Sequence, residues 1–152
     1  MNEASADEDA VSKNLPWHFG PAYTDAQLEE YYRQKPFYNQ MITLLNEYEY
    51  TKAVVDRDTD RLMEISKIYV DKWLEFDPVY PGLSNFFQAD YWFNRLTGGL
   101  VRHKRFDEAK HYLDIYFGRE WDKLYFASKK SVNATMRKRH ARVTALVNRS
   151  KG

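Results

Sequence analysis

The sequence predicts an all-α protein. Three observations carry this. Apolar residues recur at spacings of three and four through most of the chain. No stretch alternates polar and apolar for long. Residues that start and stop helices punctuate the periodic segments at short intervals. At 152 residues the chain suits one domain with a real core. The expected architecture is about six helices in antiparallel hairpins, a bundle or short α-solenoid, with a long basic C-terminal helix.

MNEASADEDAVSKN, 1–14, is acidic, small and polar, and LPWHFGPAY, 15–23, combines two Pro and a Gly with aromatic rings. Together they read as a flexible acidic and aromatic arm. Thr24-Asp-Ala-Gln27 is a capping box for a short helix ending near Gln34, before Lys35-Pro36. Pro36 suits the first turn of a second helix carrying Phe37, Met41, Leu44, Leu45, Tyr48 and Val55. Asp58 or Thr59 offers the next N-cap, for a helix with Leu62, Ile65, Tyr69, Trp73 and Phe76 on one stripe. It stops at Asp77-Pro78, because the residue before Pro is pushed out of helical geometry.

Ser84 or Asn85 should cap a fourth helix with Phe86, Phe87, Trp92, Phe93, Leu96 and Leu100. Being apolar over much of its circumference, it is expected at the centre. Gly98-Gly99 within it implies a close crossing or a break. A fifth helix, Phe106 to Phe117, should end at Gly118 as the left-handed residue. The last is expected from Arg119 to about Asn148. The resulting division is an arm over 1–23, a helical core over 24–118 and a basic amphipathic helix over 119–152.

Twelve Tyr, nine Phe and four Trp are expected chiefly as core anchors, since aromatic rings carry much buried area. The absence of Cys excludes disulfides, Cys-based zinc sites and thiol catalysis. No segment approaches the ~18 apolar residues of a membrane span, and the acidic N-terminus has no apolar run. A soluble, cytoplasmic protein is expected.

Charge is the strongest functional hint. The net charge of +1 hides a split. Residues 1–122 hold 14 Lys and Arg against 22 Asp and Glu, a net −8, while 123–152 hold nine Lys and Arg and no acid, a net +9. The stretch KKSVNATMRKRHARV, 129–143, concentrates Lys129, Lys130, Arg137, Lys138, Arg139 and Arg142. These six are the candidate nucleic-acid-binding residues, contacting phosphates without reading sequence. The same charges would also suit an acidic protein surface, including that of another copy of the chain.

Two segments, 50–78 and 93–120, look alike. Ala53-Val54 and Leu96-Thr97 follow a bulky residue in the first helix of each, and a small residue, Ser66 or Ala109, sits in the second. This resembles the tetratricopeptide helical hairpin. In that resemblance Ser66 and Ala109 take the small position, Met63 and Phe106 the aromatic position before it, and Asp77-Pro78 the terminal Asp-Pro. It implies a protein- or peptide-binding module without chemistry of its own.

Catalytic signals are sparse. Asp56-Arg-Asp58-Thr-Asp60 begins like a calcium loop, but Arg61 stands where the Gly belongs and Lys67 where the bidentate Glu belongs. It reads as a helix–helix turn with capping acids. Arg105-FDEAK-His111 resembles the Arg-x(4–6)-His pattern of the HEPN ribonucleases. That resemblance implies Arg105 on the scissile phosphate and His111 as general base. No glycine-rich phosphate loop or nucleophile elbow is present, and neither metal nor cofactor is expected. The leading reading is a non-enzymatic binding or assembly protein that contacts nucleic acid through its basic helix. A protein-interaction scaffold or homo-oligomeric adaptor is second, and a metal-independent ribonuclease third.

Overall fold

Six α-helices follow one another in the computed structural model, which describes residues 23–84, 86–124 and 130–151. Most of the predicted N-terminal arm and Lys129 lie outside the described residues. No strand occurs among those described.

Helix α1 spans Asp25–Glu47. The capping box forms as expected: Thr24 Oγ1 accepts from the Gln27 amide at 3.1 Å, and the Thr24 amide donates to Gln27 Oε1 at 2.9 Å. The expected break before Pro36 does not occur. Pro36 and Tyr32, one turn earlier, are both exposed, so the Tyr32 carbonyl deprived of its donor lies on the solvent side. An interior Pro costs roughly 3 kcal/mol. Packing offsets it, because Phe37 stacks on Phe76 at 4.4 Å and Met41 is fully buried. Glu30 ties α1 to the loop after Asp77. Its burial favours the neutral acid, but bonds from Arg33, Gln34 and the Val79 amide outweigh this and hold its pKa below the usual range.

Glu49, in left-handed conformation at φ 56°, then starts a separate short helix α2, Tyr50–Val55, where one continuous helix was expected. Helix α3, Thr59–Phe76, is capped by Asp58 through the Arg61 amide and ends at Asp77, φ 57°. Ser84 Oγ accepts from the Phe86 and Phe87 amides, but it closes a turn rather than a helix. Helix α4 begins only at Ala89 and runs to Arg102. Helix α5, Phe106–Gly118, contains Gly118 as an ordinary helical residue. The left-handed residue is Glu120 instead.

The last helix does not start at Arg119. A 3-10 turn, Trp121–Lys123, intervenes and buries Trp121 against Phe87, Phe93 and Tyr116. A ring buried on three sides fixes where the chain turns. Helix α6 then covers Lys130–Lys151.

Helix α4 packs on α3, α5 and α6, the central place its apolar circumference implied. Gly99 is the close crossing: a Cβ there would lie 2.5 Å from Met63 Cγ and 2.8 Å from Met63 Cβ. The two hairpins turn alike. Asp56, Arg57 and Asp58 amides bond the carbonyls of Lys52, Val54 and Ala53. His103, Lys104 and Arg105 amides bond those of Gly99, Val101 and Leu100. In each turn the middle residue is left-handed and not Gly: Arg57 at φ 52° and Lys104 at φ 58°.

Lys104→Gly is therefore expected to stabilise the protein by about 0.5–1 kcal/mol. Relief of a left-handed penalty of roughly 1–2 kcal/mol exceeds the entropy that Gly gains in the unfolded chain. Urea denaturation beside Lys104→Ala, which keeps the Cβ, checks this. Equal midpoints for the two variants would refute it.

Candidate nucleic-acid interface

Helix α6 has one buried face, made by Asn133, Met136, Val143 and Val147. Met136 and Val143 join the same core cluster as Trp73, Phe93 and Leu100. Polar contacts set the register of α6 on α5. Tyr116 Oη donates to Asn133 Oδ1 at 2.6 Å, and His140 Nε2 lies 2.7 Å from Asp114 Oδ1. The His140 ring also stacks on Phe117 at 5.3 Å. Burial raises the Asp114 pKa, but bonds from Lys110 and His140 prevail and hold it below the usual carboxylate range.

This docking separates the six candidate phosphate contacts. Lys130, Lys138 and Arg142 are exposed and make no ion pair with a described residue. Arg149 continues the line, since 138, 142 and 149 lie on one ridge at helical spacing. Arg137 is exposed but engaged, with Nη2 3.0 Å from Asp122 Oδ2. Part of the basic helix thus meets an acid of its own chain. Lys129 lies outside the described residues.

Arg139 turns inward, away from the outer ridge. Its Nη1 donates to the Asn94 carbonyl at 3.2 Å, Asn94 Oδ1 at 2.8 Å and Thr97 Oγ1 at 3.0 Å. It lies over Gly98, where a Cβ would stand 3.2 Å from Nη2. Burial, and after it the charge of Arg102, lower the pKa of its guanidinium.

Arg139 closes one side of a groove of about 300 Å³ over α4. Tyr91, Asn94, Arg95, Gly98 and Arg102 form its floor, and Thr59 at the start of α3 its far edge. Three Arg side chains line it, and among the described residues no Asp or Glu does. The Arg95 guanidinium sits 5.0 Å from the Tyr91 ring centroid. Its Nε is buried without a hydrogen-bond partner among the described residues. Tyr91 is held by the Tyr50 hydroxyl, 2.5 Å from its own. Burial, and next the Tyr91 contact, raise the Tyr50 pKa.

Sequence reasoning passed over Tyr91, Asn94 and Arg95. A signal was present: positions 91, 94, 95, 98 and 102 make one polar stripe on an otherwise apolar helix.

The other candidates do not converge. Arg105 donates twice to Glu108, from Nε at 2.8 Å and Nη2 at 2.7 Å. His111 is exposed, its ring 5.1 Å from that of Tyr112. Six residues apart, on a helix of 3.6 residues per turn, Arg105 and His111 fall on different faces. The three Asp of the calcium-like run also diverge: Asp56 to Lys52, Asp58 to the Arg61 amide and Asp60 to His103.

The class of protein defined so far is an all-helical bundle with an acid-free basic helix packed along it. No protein-family model matches the chain, nor does any curated protein or solved structure. Among the described residues no helix is long and apolar enough to cross a membrane.

Proposed function

We propose that the protein binds nucleic acid non-specifically through the exposed face of α6, with Lys130, Lys138 and Arg142 contacting phosphates. One observation carries this reading: these cations are exposed on a helix without an acid and pair with no described carboxylate. Unpaired surface cations are available to replace the counterions of a phosphate backbone. Arg137 and Arg139 contribute less, being engaged with Asp122 and with α4. The protein-interaction reading has weaker support. Among the described residues most of the large aromatic rings are buried in the core or packed against it, and the exposed large apolar side chains are Tyr32, Val54, Val55 and Val79.

The test is a salt series of binding to a generic duplex and a single strand. Affinity should fall steeply with salt. The Lys130→Gln/Lys138→Gln/Arg142→Gln protein should bind about tenfold or more weakly at low salt, with a log–log slope shallower by about 2–3. No binding by the intact chain at low salt, or an unchanged slope in the triple variant, would overturn the proposal. A defined oligomer whose formation needs the same cations would favour the acidic-surface alternative.

A further inference from the structure

We infer that the arginine groove over α4 is a discrete seat for a phosphate group, held by Arg95, Arg102 and Arg139. It does not depend on the exposed face of α6, because a non-specific charged surface needs no concave site.

Three independent features point to an anion. The first is composition. Three Arg side chains share a groove of about 300 Å³ that no Asp or Glu among the described residues lines. None of the three makes an ion pair with a described residue, whereas Arg33, Arg61, Arg105, Arg119 and Arg137 all do. Clustered like charges repel, so the arrangement is unfavourable until a counter-charge enters. The second is an unmet donor. Arg95 Nε is buried without a partner among the described residues, while its guanidinium packs on the Tyr91 ring. A buried, unsatisfied donor costs about as much as a lost hydrogen bond, so a small rotation of the Arg95 side chain that presents Nε to a ligand oxygen would be favoured.

The third is orientation. Arg139 spends Nη1 on Asn94 and Thr97, and Nη2 lies over Gly98. The side chain is thereby immobilised on the groove wall before any ligand arrives. An anchored guanidinium loses little freedom on binding and offers a planar fork matched to tetrahedral oxyanions. The volume exceeds what a phosphate alone needs and falls at the low end of small-ligand pockets. The seat thus suits a phosphate carrying a sugar-sized substituent. Such a group comes either from a small phosphorylated molecule or from the end of a nucleic-acid strand.

Titration calorimetry and thermal unfolding of the full chain test this, with inorganic phosphate, a nucleoside monophosphate and a short oligonucleotide with or without a 5′-phosphate. Chloride at matched ionic strength is the control. Phosphate and the monophosphate should bind and raise the melting temperature beyond the chloride control. Arg95→Gln should weaken binding at least tenfold. Arg102→Gln, at an exposed position that leaves the core intact, should weaken it severalfold while raising the melting temperature of the ligand-free protein by relieving repulsion. Lys138→Gln should leave phosphate affinity within twofold.

A preference for the 5′-phosphorylated strand over the unphosphorylated one identifies a nucleic-acid end as the source. Binding of the monophosphate alone identifies a small molecule. No heat or melting shift with either phosphate would overturn the inference, as would equal losses in Arg95→Gln, Arg102→Gln and Lys138→Gln. The α6 triple variant changes the salt slope for nucleic acid but not phosphate binding, so the two proposals fail separately.

Discussion

A carboxylate placed at Val143 is expected to abolish the native state. Val143 is fully buried on α6 and belongs to the main core cluster. An ionised Asp there would lose its hydration without gaining a partner. Burial of an unpaired charge costs several kcal/mol, or forces the group to stay neutral at a smaller but still large cost. Loss of the Val packing adds about 1–3 kcal/mol. Against a domain stability of about 5–15 kcal/mol, the sum is enough to unfold the protein or leave it marginal.

Ala141→Asp provides the control. It lies two residues earlier on the exposed side of the same helix. It should cost no more than about 1 kcal/mol, mostly through helix propensity. Circular dichroism and urea denaturation of both proteins decide the matter. If Val143→Asp unfolds at the same urea concentration as Ala141→Asp, α6 is not part of the core. The same reasoning makes removal of the basic helix a poor test of function, since truncation after Gly118 would strip Met136 and Val143 from the core.

Trp73→Ala is expected to lower stability by about 3–5 kcal/mol. Trp73 has no exposed surface and connects three parts of the chain. It stacks on Phe87, centroids 4.9 Å apart and planes 10° apart. It meets Phe37 of α1 edge-on at 5.1 Å, and Phe76 of its own helix at 5.8 Å. Truncation removes the largest buried side-chain type and leaves a cavity that the stacked Phe87 and the edge-on Phe37 and Phe76 rings cannot fill by small shifts. Trp73→Phe keeps one ring and should cost about half as much. A Trp73→Ala loss below 1 kcal/mol by urea denaturation would show that α1 is held by its polar contacts through Glu30, Arg33 and Gln34 rather than by this stack.

Much of the fold was legible in the residues because its signals are local. A Thr–Gln pair three apart caps a helix whatever lies beyond it, and Thr24 and Gln27 do so. Asp58 caps α3, and Asp77-Pro78 ends it. The apolar circumference of 86–100 announced a central element, and α4 is central. The misses lie where tertiary contacts outweigh local preference. Local preference makes Pro36 a boundary, but stacking of Phe37 on Phe76 carries the helix through it. Local preference makes Gly118 the left-handed residue, but Glu120 takes that conformation where the chain turns to bury Trp121.

The candidate site was legible only in part. The charge split marked residues 129–142, yet one-dimensional spacing treats the six cations as equivalent. The structure distributes them: Lys130, Lys138 and Arg142 outward, Arg137 to Asp122, and Arg139 onto α4. Arg95 is not distinguished in the sequence, because an Arg in the middle of an apolar helix reads as a solvated edge, although it shares a stripe with Tyr91, Asn94, Gly98 and Arg102.

By itself, the sequence determined the all-helical class, the starts of α1, α3 and α5 and the ends of α3 and α5, the aromatic core and the confinement of excess positive charge to the last thirty residues. These follow from hydrogen bonds and side-chain periodicity within a few residues of one another. Only the tertiary structure decided which cations face water and which share a groove. That depends on residues far apart in the chain. Gly98 leaves room above α4, Asn94 and Thr97 offer acceptors there, and Arg139, some forty residues later, arrives at the height where all three can be used. Electrostatic meaning depends on such distances, and a sequence does not contain them until the helices have packed.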